Sequence, residues 1–176
     1  MCIRDSYNGE RWSTARAYLD PARKRSNLKI QTQSSVQKII FDGTKAVAVT
    51  YMNGSGALKS VQARKEIILS AGAVGSPHIL MLSGIGPAAH LQDMGIDVLH
   101  DLPGVGQNLN DHPDFVLKYK CKQPVSFWPK TKRLAKLGAG IQWILTRRGI
   151  VTSNLFEGLG CIRSGKDVDY PDLQII

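Results

Sequence analysis

Two tight turns, each following a short β-prone run, constrain the fold of this chain more than any other feature. The runs are residues 36–41 and 46–51, and they are followed by an Asp-Gly pair at 42–43 and an Asn-Gly pair at 53–54. These pairs accept the positive φ angles of turns that join neighbouring antiparallel strands. A further β-prone run, residues 28–32, precedes the other two. The sequence therefore predicts an antiparallel β-meander.

Residues 60–99 combine strand and helix signals. A run at 60–64 leads into residues 65–70, whose continuous apolar centre predicts a strand that is buried on both faces. Further elements are expected after this strand: a short helix that begins at Ser76-Pro77, continues over 78–82 and stops at Gly84, a second helix from Pro87 to Met94 that stops at Gly95, and a strand at 96–99. The predicted fold class is α/β with mixed α+β character.

A second unit is expected beyond a boundary near His112-Pro113, and it too mixes strands with a helix. Residues 115–122 alternate like a half-buried strand, and two more strand-like runs lie at 158–163 and 173–176. Between them, apolar residues recur at helical spacing up to Gly149, namely Leu134, Leu137, Ile141, Ile144 and Leu145. The last run breaks off abruptly, so we expect an internal fragment of a longer protein. At the front, Ser13 can cap a short helix through Leu19.

The chain is basic, with a formal net charge of +9 and a pI near 9.6. The basic residues cluster at 23–25 and again at 130–136, without the interleaved aromatic side chains that single-strand binders use. Solvated surface is therefore the favoured interpretation of both clusters, and we expect no nucleic-acid partner.

Cysteine and histidine give no support to a disulfide framework or a metal site. Cys2, Cys121 and Cys161 are far apart, and no pair has CxxC spacing; the four histidines never fall at HExxH spacing. No stretch approaches the roughly 18 apolar residues of a membrane helix, and the start has no apolar signal-peptide core. We expect a non-secreted protein with no metal, located in the cytoplasm or peripherally on the inner face of a membrane.

Residues 84–89, GIGPAA, match the dinucleotide fingerprint GxGxxA. That fingerprint requires a buried strand immediately before the first glycine, so that the following helix directs its amides at a pyrophosphate. An apolar helical run precedes Gly84 instead. We therefore interpret these glycines as a tight helix-to-helix turn with positive φ.

The larger pattern around this turn resembles a known enzyme family. Residues 70–87 read SAGAVGSPHILMLSGIGP, residues 101–112 read DLPGVGQNLNDH, and residues 11–19 read RWSTARAYL. Together they resemble the glucose-methanol-choline family of FAD-dependent oxidoreductases, and the likeness extends over nearly the whole chain from Tyr7. Residues 121–126 and 153–158, with the helix at 138–149, favour the choline-oxidising branch.

This resemblance implies part of a Rossmann-like FAD-binding domain over residues 7–112 and the start of an α+β substrate-binding domain over 113–176. Residues 1–6 resemble no family sequence and are expected to be a non-native leader. The family oxidises a primary alcohol to an aldehyde by hydride transfer to flavin. Its catalytic histidine and its pyrophosphate loop match no residue of this chain, which we therefore expect to be inactive by itself.

Four residues correspond to family binding positions. Val36 matches the residue whose backbone pairs with the adenine of FAD, and Ala71 and Gly72 match small residues beside the adenosine half. Glu157 matches a carboxylate that faces the trimethylammonium group of choline, with Phe156 adjacent in sequence, although neighbouring strand residues point to opposite faces. A core valine, a plain turn and an exposed glutamate are the structural alternatives.

Asn108, Asp111 and His112 form the most polar cluster, and structural hydrogen bonding is the favoured interpretation over a catalytic dyad, because no serine nucleophile motif accompanies them. Choline is the leading substrate. Another alcohol, or a non-redox lyase or binding module on the same scaffold, remains an alternative, and the sequence leaves the electron acceptor open.

Overall fold

The structure is a computed structural model, and it describes residues 6–123, 125–153 and 158–175. Its strands are short and its helices are separated by turns. In chain order the elements are β1 (Ser6–Tyr7), β2 (Glu10–Arg11), a π-helical turn (Ala15–Leu19), α1 (Asp20–Ala22), β3 (Ser35–Asp42), β4 (Lys45–Met52), β5 (Leu58–Gln62), α2 (Gly72–Leu82), β6 (Ile85–Gly86), α3 (Ala88–Asp93), β7 (His100–Asp101), two 3₁₀ turns (Trp128–Thr131 and Ile150–Thr152) on either side of α4 (Arg133–Thr146), β8 (Gly160–Ile162) and β9 (Leu173–Ile175).

Two compact units account for these elements: Ile30–Phe115 forms one, and residues 6–29 with the described part of 116–175 form the other. Each unit contains both helices and strands, as the sequence predicts. The assignment of residues 7–112 and 113–176 to cofactor-binding and substrate-binding domains stays a prediction.

A three-stranded antiparallel sheet in the order β3-β4-β5 dominates the first unit. Gly43 occupies the turn between β3 and β4 with φ +57°, as expected of an Asp-Gly hairpin. The meander is thus confirmed for residues 36–41 and 46–51. The prediction of a strand at 28–32 is wrong; the third strand is β5. The loop that brings β5 alongside β4 is longer than an Asn-Gly turn: the Asn53 amide donates to the Ala57 carbonyl at 3.1 Å, and the positive φ lies at Gly56, not at Gly54.

The predicted buried strand at 65–70 does not form, and its Ile68 side chain is 78% exposed. A strand that is buried on both faces needs hydrogen-bonding neighbours and covering layers, and none of the described residues supplies a paired strand here. The strand predicted at 96–99 is also displaced: the pairing occurs at β7, where His100 and Asp101 lie parallel to Ile85 and Gly86 of β6.

The helices of this unit follow the predicted stops better than the predicted starts. Helix α2 begins at Gly72 and contains Pro77, so it starts before the expected Ser76-Pro77 cap. At this interior position the proline removes the amide that would bond the Ala73 carbonyl, and its ring crowds that carbonyl. Gly84 and Gly95 end α2 and α3 with φ of +85° and +70°. The buried apolar residues of the unit are Ile39, Ala48, Leu91 and Val105.

The second unit is built around α4, which confirms the helical spacing of its apolar residues. The Trp143 indole Nε1 donates to the Gly9 carbonyl at 2.7 Å, and the Arg147 guanidinium lies 4.2 Å from the centre of the Trp143 ring and 3.3 Å from the Glu10 carboxylate. These contacts hold α4 against the β1–β2 hairpin.

The remaining elements of the second unit are small. β8 and β9 lie in the two runs near the end that were predicted to be strands, and the structure pairs them antiparallel. The strand predicted at 115–122 is absent, and Phe115 is 93% exposed. The Ser13 hydroxyl accepts a hydrogen bond from the Arg16 amide at 3.4 Å, which fits its predicted capping position.

Candidate cofactor-binding site

Val36 lies near the start of β3, at a bulge that determines where its backbone points. Val36 is opposite Tyr51 and Lys38 is opposite Thr50, so Gln37 is an extra residue in β3. β3 has β4 on one side only, and its other edge is not paired with a described strand. The direction of the Val36 amide and carbonyl therefore decides whether they can serve a ligand.

The pairing register of β3, β4 and β5 determines the direction of the Val36 backbone groups. The Val47 carbonyl accepts a hydrogen bond from the Ala63 amide, and the Asn53 amide donates to the Ala57 carbonyl. Both bonds lie on the β5 side of β4. Amide and carbonyl directions alternate along a strand, so the backbone groups of Tyr51, like those of Val47 and Asn53, point to β5. Val36 lies opposite Tyr51 and is therefore not hydrogen-bonded to β4. The bulge thus turns the Val36 amide and carbonyl towards the free edge of β3, where the side chain is partly exposed.

Ala71 and Gly72 lie at the start of α2. Gly72 has φ +86°, and a Cβ built on it meets nothing within 4 Å, so the backbone can be approached closely. The Ser76 hydroxyl accepts the Ala71 amide at 3.0 Å. Alanine has no side-chain acceptor to cap the helix, so the first amides of α2 are left for another partner.

A serine that the sequence interpretation missed joins α2 to β3. The Ser83 hydroxyl follows the last residue of α2, accepts the Ile39 amide at 2.8 Å and donates to the Ile79 carbonyl at 2.6 Å. A serine bonding four residues back is recognisable in a helical sequence. Its second partner, 44 residues away, has no sequence signal.

Residues 84–89 do not form a phosphate site. A helix, not a strand, precedes Gly84, and a Cβ on Gly84 would lie 2.6 Å from the Asp97 carbonyl oxygen, so this turn requires glycine. The Ala88 amide at the start of α3 already donates to the Asp101 carboxylate at 3.0 Å. Both observations confirm the turn interpretation, although Gly86 does not share the positive φ.

The polar residues near the predicted domain boundary are exposed and bond locally. The Asp111 carboxylate accepts the backbone amide of His112 at 2.8 Å, and Asn108 adopts φ +55°. This agrees with structural hydrogen bonding and gives no geometry of a dyad.

Glu157 and Phe156 lie outside the described residues, so Glu157 stays a prediction. In the unit built around α4, the Asp172 carboxylate accepts the Ser164 hydroxyl at 2.6 Å and the Ser164 amide at 2.7 Å. These bonds hold the pKa of Asp172 below its ordinary value of 3.8. They close the long loop between β8 and β9.

Other kinds of site find no support in the part of the chain that the structure describes. Cys121 and Cys161 are exposed free thiols, and no three described His, Cys, Asp or Glu residues come together as metal ligands. No described helix is long and apolar enough to span a bilayer.

Comparison with known proteins bears on the fold and on the family. An oxygen-dependent choline dehydrogenase from Staphylococcus xylosus is 48% identical over 168 residues, which cover 95% of this chain and 30% of the relative. The structure of an FAD-dependent oxidoreductase from Chaetomium thermophilum matches with a TM-score of 0.75 and 36% identity, covering 85% of this chain and 26% of that one. A formate oxidase matches with a TM-score of 0.78 and 30% identity, covering 88% and 27%.

These matches confirm the predicted fold class, and the chain spans about 30% of the length of the curated relatives it matches. The family model described as GMC oxidoreductase matches residues 1–114. Because that match covers more than half of the chain, the chain belongs to the GMC oxidoreductase family.

Proposed function

We propose that this chain is part of an FAD-dependent oxidoreductase that converts a primary alcohol to an aldehyde, with choline as the leading substrate. The observation that carries this proposal is the 48% identity to a choline dehydrogenase over 95% of the chain. Formate oxidase, at 30% identity, illustrates how substrates differ among structural relatives, so the choice of choline rests on the higher identity.

The residues present fit the adenosine half of FAD. An adenine edge carries a hydrogen-bond donor beside an acceptor, and a free strand edge offers a carbonyl and an amide in matching order. Val36, turned outward by its bulge, is the proposed partner of that edge. The open backbone at Ala71 and Gly72 is proposed to lie beside the ribose.

When bound, the flavin would supply the acceptor for the hydride that leaves the carbinol carbon. The proposed task of this chain is to hold the adenosine end, and Val36 does so through its backbone. Side-chain substitutions at Val36 that preserve the strand are therefore expected to change FAD affinity little.

Glu157 is proposed to contact the substrate cation. A quaternary ammonium group donates no hydrogen bonds, so its recognition depends on negative charge and aromatic faces. The adjacent Phe156 is the aromatic candidate.

The test is an anaerobic flavin absorption spectrum of the complete gene product during addition of choline. Bleaching by choline supports the proposal, and absence of flavin or of bleaching contradicts it. The neutral isostere 3,3-dimethylbutan-1-ol is the matched control: Glu157→Gln should weaken choline oxidation and spare the isostere. If other alcohols bleach the flavin and choline does not, the enzyme acts on a different alcohol. Bound flavin that no alcohol bleaches supports the lyase or binding module.

We also propose peripheral contact with an anionic membrane surface through α4. Residues 125–153 contain six basic residues, at 130, 132, 133, 136, 147 and 148, and no acidic one. The five apolar residues of the helical stripe are each at least half exposed, and so is Trp128. Basic residues beside exposed leucine, isoleucine and tryptophan are typical of interfacial helices.

The relatives are about three times longer than this chain, and a further segment that covered α4 would compete with lipid. The complete gene product is therefore tested for cosedimentation with vesicles of anionic or neutral lipid. Binding to anionic vesicles only, lost in Lys132→Glu/Lys136→Glu and kept in the matched pair Lys24→Glu/Lys59→Glu, supports the contact. Absence of binding contradicts it.

A further inference from the structure

The hydroxyl of Ser83 makes two hydrogen bonds whose partners lie on different elements. It accepts the amide of Ile39 in β3 and donates to the carbonyl of Ile79 in α2. Both of its hydrogen-bonding functions are used, so its orientation is determined. Ile39 is 7% exposed, which means that water cannot easily replace the hydroxyl as the partner of its amide.

This bond connects the two elements that carry the proposed adenosine site. Val36 lies three residues before Ile39 in the same strand, and Ala71 and Gly72 lie at the other end of the helix that Ser83 terminates. Apart from the bulge at Gln37 and the missing amide of Pro77, most backbone hydrogen bonds of β3 and α2 are made within the sheet and within the helix. Their relative position therefore depends on the contacts between them.

We infer that Ser83 is a positioning residue that holds the free edge of β3 in place relative to the start of α2, and thereby sets the affinity for the adenosine half of FAD. This inference rests on the proposed function. The proposed action of the hydroxyl is indirect, through Ile39 and the strand, and involves no contact with the cofactor.

The experiment measures FAD dissociation from the complete gene product in Ser83→Ala, together with competition by ADP, which carries the adenosine half alone. We expect both FAD and ADP to bind about fivefold more weakly, as the loss of one hydrogen bond implies. At saturating FAD, kcat and the KM for the alcohol should stay unchanged, since the reacting end is not displaced.

Thr146→Val is the matched control, because the Thr146 hydroxyl also bonds the carbonyl four residues back, on Gln142 at 2.7 Å, but lies in α4. It should leave FAD and ADP affinity unchanged. Ser83→Cys keeps the side-chain shape but replaces the hydroxyl with a larger thiol that is a weaker acceptor. It should give an intermediate loss, which provides the test if Ser83→Ala does not fold.

A purely structural role would lower the melting temperature of the Ser83 variants and leave FAD and ADP affinity unchanged, and that result would overturn the inference. Equal weakening in Thr146→Val would overturn it as well. If the unsubstituted protein binds no FAD, the proposed function itself fails; if it binds FAD and the Ser83 variants bind equally well, only the inference fails.

Discussion

Residues 36–41 and 65–70 are two β-prone runs of equal length, and each contains an Ile-Ile pair. One residue of the pair is buried in the first run, and one is exposed in the second. The first lies in β3, where Ile39 is 7% exposed; the second forms no strand, and Ile68 is 78% exposed. The first run is joined to its partner by a two-residue turn, whereas the second has no paired strand among the described residues. Apolar character thus selects a strand here only where a neighbour is close in sequence.

The largest expected effect separates the two runs directly. Ile39→Ala removes a buried side chain from β3 and should lower the free energy of unfolding by about 2–4 kcal/mol. Ile68→Ala, which changes an exposed side chain, should stay within about 0.5 kcal/mol. Urea unfolding of the 176-residue chain measures both, and similar losses would contradict the comparison.

The same pair of substitutions sharpens the comparison in the complete gene product. If a further segment covers residues 65–70, Ile68→Ala becomes as costly there as Ile39→Ala. Amide hydrogen exchange should then be slow at 65–70 as well as at 36–41.

A smaller effect is expected at Gly43, in the turn that places residues 36–41 beside their partner strand β4. Gly43 has φ +57° and open space around it, so Gly43→Ala meets no clash but must adopt a left-handed backbone, which costs about 1 kcal/mol. Gly104→Ala is the control, since Gly104 has open space and no positive φ. Equal stability of the two variants in urea would show that the turn does not favour the β3–β4 pairing.

The smallest effect concerns a hairpin whose loop is closed by side chains. Since the pKa of Asp172 is lowered in the folded hairpin, its ionised form stabilises the β8–β9 loop above pH 3.8, and this contribution is lost as the pH falls through the lowered pKa. Ser164→Ala should move the pKa back towards 3.8.

An NMR titration of the Asp172 carboxyl group checks this, with Ser60→Ala as the control. An unchanged Asp172 titration in Ser164→Ala would show that another interaction lowers the pKa.

Local elements were predictable from short-range chemistry. The spacing of Leu137, Ile141 and Ile144 specified α4, and the Asp-Gly pair specified the β3–β4 hairpin, because both depend on residues a few positions apart. A strand pattern alone was not sufficient: residues 65–70 and 115–122 have strand patterns but form no strand and have no paired strand among the described residues.

The candidate site likewise has features that the sequence indicated and features that only the tertiary structure showed. Val36, Ala71 and Gly72 were selected by resemblance, and their roles stay proposals. The bulge at Gln37, which turns the Val36 backbone outward, arises from the register of β3 on β4 and has no signature in the residue types. The bond from Ile39 to Ser83 likewise requires two segments 44 residues apart to meet.

The sequence by itself determined the family, the β3–β4 hairpin with its turn, and α4, since motif residues and local periodicity act over a few positions. The tertiary structure decided which apolar runs become strands, which backbone edge is free at Val36 and which hydroxyl joins α2 to β3. These outcomes depend on pairing and burial between distant segments, and a hydrogen bond or a buried side chain forms only when its partner is in place.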